Sequence, residues 1–167
     1  KLADLIGNEN IFNGIQTSDN RIYVHYATNE DDNYFYFNLD DEEWKVEKEL
    51  TRPYFQTSRG IDNLNTYRIL NPNSFVIYPY KNENGRINFV NIETLHSEYP
   101  ETFRFFENYS EELKKRDIKP EPETNEEWYR FGRHQSLEKC DVPAKIVVGV
   151  LSQGDKYAID TSHTFIS

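Results

Sequence analysis

The sequence has almost none of the residues that hold a small fold together through covalent bonds or metals. Its 167 residues include one cysteine, Cys140, and no methionine. A single thiol excludes an internal disulfide and a thiolate metal site, and it is typical of a reducing cytoplasm. The chain also has no apolar run near the ~20 residues of a membrane span, and no charged-then-apolar leader. We predict a cytoplasmic protein without a membrane segment.

Motifs for self-sufficient catalysis are missing as well. The four histidines are scattered along the chain, and we predict no metal site. There is no Gly-rich phosphate loop, and no nucleophile stands at a justifiable spacing from a base. We therefore predict no catalytic residue and no cofactor for this chain, and we favour a binding or recognition module over an enzyme. Since the sequence starts at Lys1 without a methionine, we expect a piece of a longer protein.

The chain has fewer basic than acidic residues, 19 against 29. The net charge is −10, which argues at first sight against a nucleic-acid binder. The acid is concentrated near the start, because residues 1–50 have 4 basic and 12 acidic side chains, against 5 and 4 in residues 51–100. Two patches, 29–32 and 40–43, hold much of it. A basic face can exist if these patches point away from it.

The sequence that is present begins with β-structure. Asn82-Glu-Asn-Gly85 predicts a tight hairpin, and the acidic run at 40–43 predicts another turn. Segments rich in β-branched and aromatic residues predict strands at 21–26, 34–39, 44–50, 67–70, 74–78 and 86–90.

Helical periodicity replaces this pattern after about residue 91. Phe103, Phe106, Tyr109 and Leu113 recur every three or four residues, which predicts one long amphipathic helix over about 98–116. A strand pair follows near the end of the chain. The predicted fold class is α+β, with a mixed, mostly antiparallel β-sheet, the long helix and short helices. We predict a single domain over 1–167, β-rich in 1–90 and helix plus β-hairpin in 91–167.

An unusual group of side chains stands just ahead of a predicted strand at 145–151. It comprises Trp128, Tyr129, Arg130, Arg133, His134 and Gln135. Aromatic, guanidinium and amide groups together suit a site for a polyanion or a nucleobase. The same group is also typical of a loop that packs its aromatics and solvates its charges. The stretch alone does not decide between these interpretations.

Four stretches carry a resemblance to a known family. They are Gly14-Ile-Gln-Thr-Ser-Asp-Asn20 with the strand after it, Arg52-Pro53 with Arg59-Gly60, Phe75-Val-Ile-Tyr-Pro-Tyr80, and Trp128-Tyr129 with Gly132-Arg133, Gln135 and Lys145-Ile-Val-Val148. In this order and spacing they resemble the TaqI-like C-terminal specificity domain of adenine-specific DNA methyltransferases, including fused enzymes that also cut DNA. The resemblance spans roughly residues 2–165.

The resemblance implies a target-recognition module separated from its catalytic half. The family's catalytic Asn-Pro-Pro-Tyr motif and its cofactor-binding glycines are missing here, so the methyltransferase domain is expected upstream. That domain of the parent enzyme would use S-adenosylmethionine. Ser18 stands where the family's opening loop has a second glycine, which puts the conformation of that turn in question.

The implied partners are double-stranded DNA and the parent's own N-terminal methyltransferase domain. Arginine pairs well with guanine, and glutamine or asparagine with adenine. The candidate base contacts are Gln16, Thr17, Arg59, Asn63, Arg130, Arg133 and Gln135, whereas Lys139 and Lys145 suit phosphates. We expect the aromatics of 128–135 to pack inward and the Arg and Gln side chains to face the DNA. The alternative is a protein- or carbohydrate-binding module with no nucleic-acid role.

Overall fold

The first sheet of the molecule is a three-stranded antiparallel meander with an acidic turn. The computed structural model describes residues 7, 10–55, 68–69, 72, 74–133, 137–148 and 157–166. Strands β2 (Asn29–Glu30), β3 (Tyr34–Leu39) and β4 (Glu42–Glu47) pair antiparallel in sequence order. Asp40 and Asp41 make the turn between β3 and β4 with φ of 51° and 62°. This confirms the turn predicted for the acidic run, and Asp tolerates such left-handed backbone better than most residues.

A second antiparallel sheet has the order β1–β7–β5, from Val24–His25, Ser74–Ile77 and Thr51–Tyr54. A 3-10 turn, Lys48–Leu50, leads into β5. Pro53 lies in β5 at the edge of this sheet, where a missing backbone donor is tolerated.

The strand predicted over 21–26 is wrong in its first half. Residues Asn20–Tyr23 form the short helix α1, and only Val24–His25 are extended. The cause is Asp19, whose side chain accepts a hydrogen bond from the Ile22 backbone N–H and caps the helix. This local bond outweighs the strand preference of the residues that follow.

The remaining strands form two smaller sheets. The hairpin β8–β9, Tyr80–Glu83 with Arg86–Phe89, turns at Asn84 and Gly85 with φ of 54° and 83°. It confirms the hairpin predicted from the Asn-Gly pair. The last sheet has the order β10–β11–β6, from Lys145–Val148, Tyr157–Asp160 and Arg68–Ile69. Strand β11 is antiparallel to β10 and parallel to β6.

The segment predicted as one long helix over 98–116 is divided in the structure. Helix α2 covers Ile92–Glu98, α3 covers Pro100–Asn108 and α4 covers Ser110–Leu113. Tyr99 precedes a proline, and its φ of −130° and ψ of 57° interrupt the helix before α3. Tyr109 has ψ of 15° and separates α3 from α4. A further short helix, α5, covers Leu137–Cys140.

One carboxylate joins the helices to the first sheet. Glu47, at the end of β4, accepts hydrogen bonds from the backbone N–H groups of Glu101 and Thr102, at 3.0 and 2.9 Å. It also accepts one from the Thr102 hydroxyl at 2.6 Å. Because the first N–H groups of a helix lack partners within it, Glu47 supplies a cap that α3 does not provide for itself.

Two hydrophobic clusters of very different size stabilise the described part of the chain. The large one fills the space between the meander, the β1–β7–β5 sheet and α3, with Phe37, Phe75 and Phe105 at its centre. The small one contains Phe55, Val147 and Ala158. The predicted α+β class with mostly antiparallel pairing is confirmed. Within the described ranges, no helix is both long and apolar enough to cross a bilayer.

Candidate nucleic-acid interface

The 128–133 segment is anchored through its aromatic side chains. Tyr129 is fully buried and its hydroxyl donates to the Val90 carbonyl at 2.7 Å. Phe131 is also buried, and its backbone N–H donates to the Tyr80 hydroxyl at 2.9 Å. Trp128 is half-buried against the large cluster. The expectation that these aromatics pack inward is therefore confirmed.

Two of the predicted site segments, far apart in the sequence, lie side by side. The backbone N–H of Gly132 donates to the Thr17 carbonyl at 2.9 Å, and that of Arg133 donates to the Gln16 carbonyl at 3.0 Å. Gln16 and Arg133 face each other in an antiparallel bridge, and Lys119 bridges Arg133 on the other side. The exposed Gln16 side chain and the Arg133 side chain thus emerge from neighbouring backbone segments. We call residues 16–17 with 132–133 the paired loops.

The paired loops approach so closely that a glycine is required at one point. A Cβ atom on Gly132 would lie 1.7 Å from Ser18 Oγ. Glycine is needed here for space, because Gly132 itself has no positive φ. The unusual conformation belongs to Ser18, whose φ is 63°. The turn therefore keeps left-handed backbone, which favours glycine, although the residue is serine.

Arg116 ties the paired loops to the helices, and the sequence reasoning missed it. Its Nη1 donates to the Thr17 carbonyl at 2.6 Å, and its Nη2 donates to the carbonyls of Trp128 and Arg130, both at 2.8 Å. Its Nε donates to the Leu113 carbonyl at 3.1 Å. A guanidinium has five N–H donors in a fixed plane, which suits this convergence of carbonyls. The only signal in the sequence was a basic residue at the end of a helical pattern.

Thr17 and Arg130 do not face outward as predicted. Thr17 is buried, and its hydroxyl donates to Asn20 Oδ1 at 2.7 Å. The Arg130 side chain is 8% exposed and pairs with Glu127, three residues earlier. A buried charge is costly unless it is paired, which explains the carboxylate at this position. DNA contact by either side chain stays a prediction, and it would require a rearrangement of these partners.

Of the two candidate arginines that the structure describes, Arg133 has the more exposed side chain. Its Nη1 donates to the Asp117 carbonyl at 2.7 Å and its Nη2 to Asp117 Oδ2 at 2.9 Å. The side chain is 34% exposed and the Asp117 side chain 66%. The hydrogen bond from Arg133 holds the pKa of the Asp117 carboxyl below its ordinary value. An exposed pair of this kind contributes little to stability, so Arg133 can exchange Asp117 for another acceptor at small cost.

Lys145 was predicted to contact phosphates, but its side chain forms hydrogen bonds within the protein. Its Nζ donates to Asp160 Oδ2 at 2.6 Å and to the Cys140 carbonyl at 3.0 Å. The side chains are 7% and 0% exposed, so this is a buried ion pair. Burial acts to raise the pKa of Asp160, but the hydrogen bonds from Lys145, Ser162 and Thr164 together lower it below its ordinary value. We assign Lys145 to the structure of the β10–β11 hairpin rather than to an accessible surface.

The other candidates differ in what the structure describes. Lys139 is exposed on α5, with its Nζ 6.0 Å from the centroid of the Phe12 ring. Arg59, Asn63 and Gln135 lie outside the described residues.

Burial raises the pKa of the Cys140 thiol to about 11, so this cysteine is packed and protonated at neutral pH.

An acidic cleft lies beside Arg130, with a volume of about 710 Å³. One wall comes from β9 and the start of α2, and includes Asn88 and Ile92. The facing wall carries the carboxylates of Glu121, Glu123, Glu126 and Glu127. This wall is electrostatically unsuited to a phosphate backbone. No group of residues that could hold a metal ion occurs within the described ranges.

Comparison with known proteins relates the chain to a segment of a restriction–modification enzyme. No known protein-family model matches it. Over 170 aligned residues, covering the whole chain, it is 48% identical to a segment of the Type II restriction enzyme and methyltransferase RM.Eco57I of Escherichia coli. The chain spans 17% of the length of that protein. It is therefore related to part of a restriction–modification enzyme, whereas assignment to the TaqI-like specificity domain stays a prediction.

Proposed function

We propose that this chain is the DNA sequence-recognition module of a longer, adenine-specific DNA methyltransferase. The relative's name, a restriction enzyme and methyltransferase, supports a parent that acts on DNA. A methyltransferase must flip its target adenine out of the duplex, so a separate element is needed to read the flanking bases. S-adenosylmethionine would be used by the parent's catalytic domain, and the parent would work in the cytoplasm.

The observation that carries the proposal is the juxtaposition of Gln16 and Arg133. Two segments from opposite ends of the chain present an amide and a guanidinium from adjacent backbone positions. A glutamine reads adenine and an arginine reads guanine through paired hydrogen bonds, each worth ~1–3 kcal/mol of discrimination. Neighbouring side chains of these two types suit readout of neighbouring base pairs.

Rigid support of the paired loops also favours a recognition role. Arg116 binds three carbonyls of the loops and their flanking segment, and Tyr129 and Phe131 fix the same segment to the core. Side chains on a preorganised backbone lose less entropy when they bind. Asp117 holds Arg133 until a base edge replaces it, at little cost because the pair is exposed.

The charge of the chain limits what it does alone. Its net charge of −10 opposes the DNA backbone, so most phosphate contacts must come from the rest of the parent enzyme. We expect weak or undetectable DNA binding by the isolated chain. Tight binding without sequence preference, measured by fluorescence anisotropy at physiological salt, would contradict a dependent specificity module.

The direct test uses the full-length parent enzyme. Gln16→Ala and Arg133→Ala are each expected to change methylation preference at one base pair flanking the target, measured on a library of duplexes. The expected change is about tenfold or more, from the lost pair of hydrogen bonds. Arg104→Ala is the matched control, because Arg104 is an arginine with a 75% exposed side chain on α3.

The results separate this proposal from its rival. If both variants methylate every sequence at the parental ratio and melt at the parental temperature, target recognition by the paired loops is wrong. A protein- or carbohydrate-binding module predicts that outcome. Changed preference in the two variants and none in Arg104→Ala supports recognition.

A further inference from the structure

We propose that the β8–β9 hairpin is a second reading element, in which Arg86 binds the edge of a guanine in a DNA groove. The inference rests on the proposed function, because it adds a base contact to the same recognition module. A two-stranded antiparallel ribbon is one of the two protein elements that fit the major groove of B-form DNA. The Asn-Gly pair predicted this hairpin from the sequence. The recognition role proposed for the paired loops does not involve it.

The tip of the hairpin is exposed and conformationally fixed. Residues 82–86 are all exposed. Asn84 and Gly85 adopt the positive φ angles of a tight two-residue turn, and the Gly85 N–H donates to Asn82 Oδ1 at 3.0 Å. Such a turn matches the twist of the strands and keeps their register. The hairpin therefore presents its side chains in one defined arrangement before any ligand arrives.

Arg86 differs from the other arginines whose side chains the structure describes. Arg21, Arg104, Arg130 and Arg133 form ion pairs with carboxylates, and two more donate to backbone carbonyls, Arg52 and Arg116. Within the described residues, Arg86 makes no side-chain hydrogen bond, ion pair or ring contact. Glu83 lies directly opposite it in the ladder. In a chain with a net charge of −10, Arg86 is an exposed cation whose guanidinium donors are available to acceptors that a partner supplies.

The outward face of the ribbon also carries other base-reading groups. Because successive side chains in a strand alternate between faces, the ladder register places Lys81, Glu83, Arg86 and Asn88 on one face. The opposite face carries Tyr80 and Phe89, which pack on the large cluster. Asn88 Nδ2 donates to Glu83 Oε2 at 2.8 Å, which fixes both side chains. On this polar face, Lys81 pairs with Glu49 and Glu98, whereas Arg86 has no partner among the described residues.

The hairpin is attached at its base to the segment that carries the paired loops. Its last strand leads into Val90, whose carbonyl accepts from Tyr129, and its first residue, Tyr80, accepts from the Phe131 N–H. Both bonds are buried. The ribbon and Arg133 are therefore held by the same buried support.

The acidic cleft limits which part of the ribbon can meet DNA. Asn88 lines that cleft together with Arg130, opposite the four glutamates, whereas Arg86 and Glu83 do not line it. The carboxylates repel phosphates from the base of the hairpin. The tip, whose residues do not line the cleft, is the part that we expect to enter a groove.

The experiment uses the full-length parent enzyme with Arg86→Ala and Arg86→Lys. Methylation is measured on a duplex library in which each flanking base pair is varied. Arg86→Ala is expected to reduce the preference for guanine at one position by about tenfold to a hundredfold. Arg86→Lys is expected to recover little of it, since lysine cannot donate two parallel bonds to one base. Arg104→Ala is again the control, and melting temperatures verify that the exposed substitutions leave the fold intact.

Each other outcome has a definite meaning. If Arg86→Ala lowers methylation of every sequence equally and Arg86→Lys restores it, Arg86 contacts a phosphate and the proposal is wrong. If Gln16→Ala and Arg133→Ala change preference while both Arg86 variants keep the parental preference, the ribbon proposal fails and the proposed function stands. If no variant changes preference, both fail together.

Discussion

The two hydrophobic clusters show two ways to support a sheet in one chain. In the large cluster, rings interlock: Phe105 lies edge-on to Phe37 and Trp44 at centroid distances of 5.1 and 5.4 Å. In the β10–β11–β6 sheet, the described small cluster has only Phe55, Val147 and Ala158 at its centre, and a buried ion pair holds the hairpin beside it. Burial of aromatic surface dominates the stability of the large cluster. In the β10–β11–β6 sheet, an ion pair supplies an unusually large part of the stability.

The exposed face of the smaller sheet sharpens this contrast. Ile146 and Val148 are 71% and 60% exposed, although the same strand buries Val147. Side chains that already lie in water contribute little to stability. Substitutions in each of the two regions therefore test how differently they are stabilised.

Truncation of Phe105 is expected to have the largest effect. Phe105→Ala removes a fully buried ring that contacts Phe37 and Trp44 of the meander and His25 of β1, and the cost is about 3–5 kcal/mol. Urea denaturation followed by tryptophan fluorescence measures the free energy of unfolding. A loss below 1 kcal/mol would show that the large cluster does not dominate stability.

Removal of one partner of the buried pair comes next. Among the described residues, Lys145→Ala leaves the buried Asp160 carboxylate with the backbone N–H donors of Ser162 and Thr164 alone, and we expect a cost of about 3 kcal/mol. The double variant Lys145→Met with Asp160→Asn removes both charges and is the matched control, expected to recover much of the loss. Equal destabilisation of both variants in thermal melts would show that charge pairing is not what holds this hairpin.

Acid is expected to weaken the large cluster through His25. Burial lowers the pKa of His25 to about 4, because the ring is packed between aromatics. The unfolded state takes up a proton below its ordinary pKa of about 6.5, whereas the folded state stays neutral, so stability falls as the pH drops. The expected loss from pH 7 to pH 5 is about 2 kcal/mol. In urea denaturation at each pH, His25→Gln should flatten this slope, and an unchanged slope would contradict the assignment.

The smallest effect is expected on the exposed face of β10. Ile146→Thr changes a side chain already in water and should alter the free energy of unfolding by less than about 0.5 kcal/mol. Val147→Thr, one residue later, is the matched control: it buries a hydroxyl and should cost about 1–2 kcal/mol. Comparable losses in the two variants, measured by urea denaturation, would mean that Ile146 is covered in solution.

The sequence predicted the fold correctly where the backbone conformation depends on neighbouring residues. Asn84 and Gly85 specify their hairpin because both adopt positive φ at low cost. The strand predicted at 21–26 failed because a capping bond from Asp19 redirects the backbone. The long predicted helix was divided where Tyr99 precedes Pro100 and again at Tyr109, a signal that apolar periodicity alone does not carry.

The candidate site was less predictable, because its members depend on distant partners. The residue types identified Gln16 and Arg133, and the structure brings their segments together. Whether a lysine or arginine is available depends on which carboxylate the fold places beside it. Asp160 for Lys145 is a tertiary partner that spacing does not reveal. Arg116 was missed for the same reason, because its acceptors are carbonyls from three separate segments.

Because the backbones at Ser18 and Gly132 cross closely, at least one of these two positions must be glycine. The crossing of the two segments has room for one side chain, and here it belongs to Ser18, which adopts left-handed backbone to keep it. Gly132 has no positive φ of its own, so alanine fits its backbone once Ser18 becomes glycine, and not before. A sequence that shares this crossing can therefore carry a side chain at no more than one of the two positions.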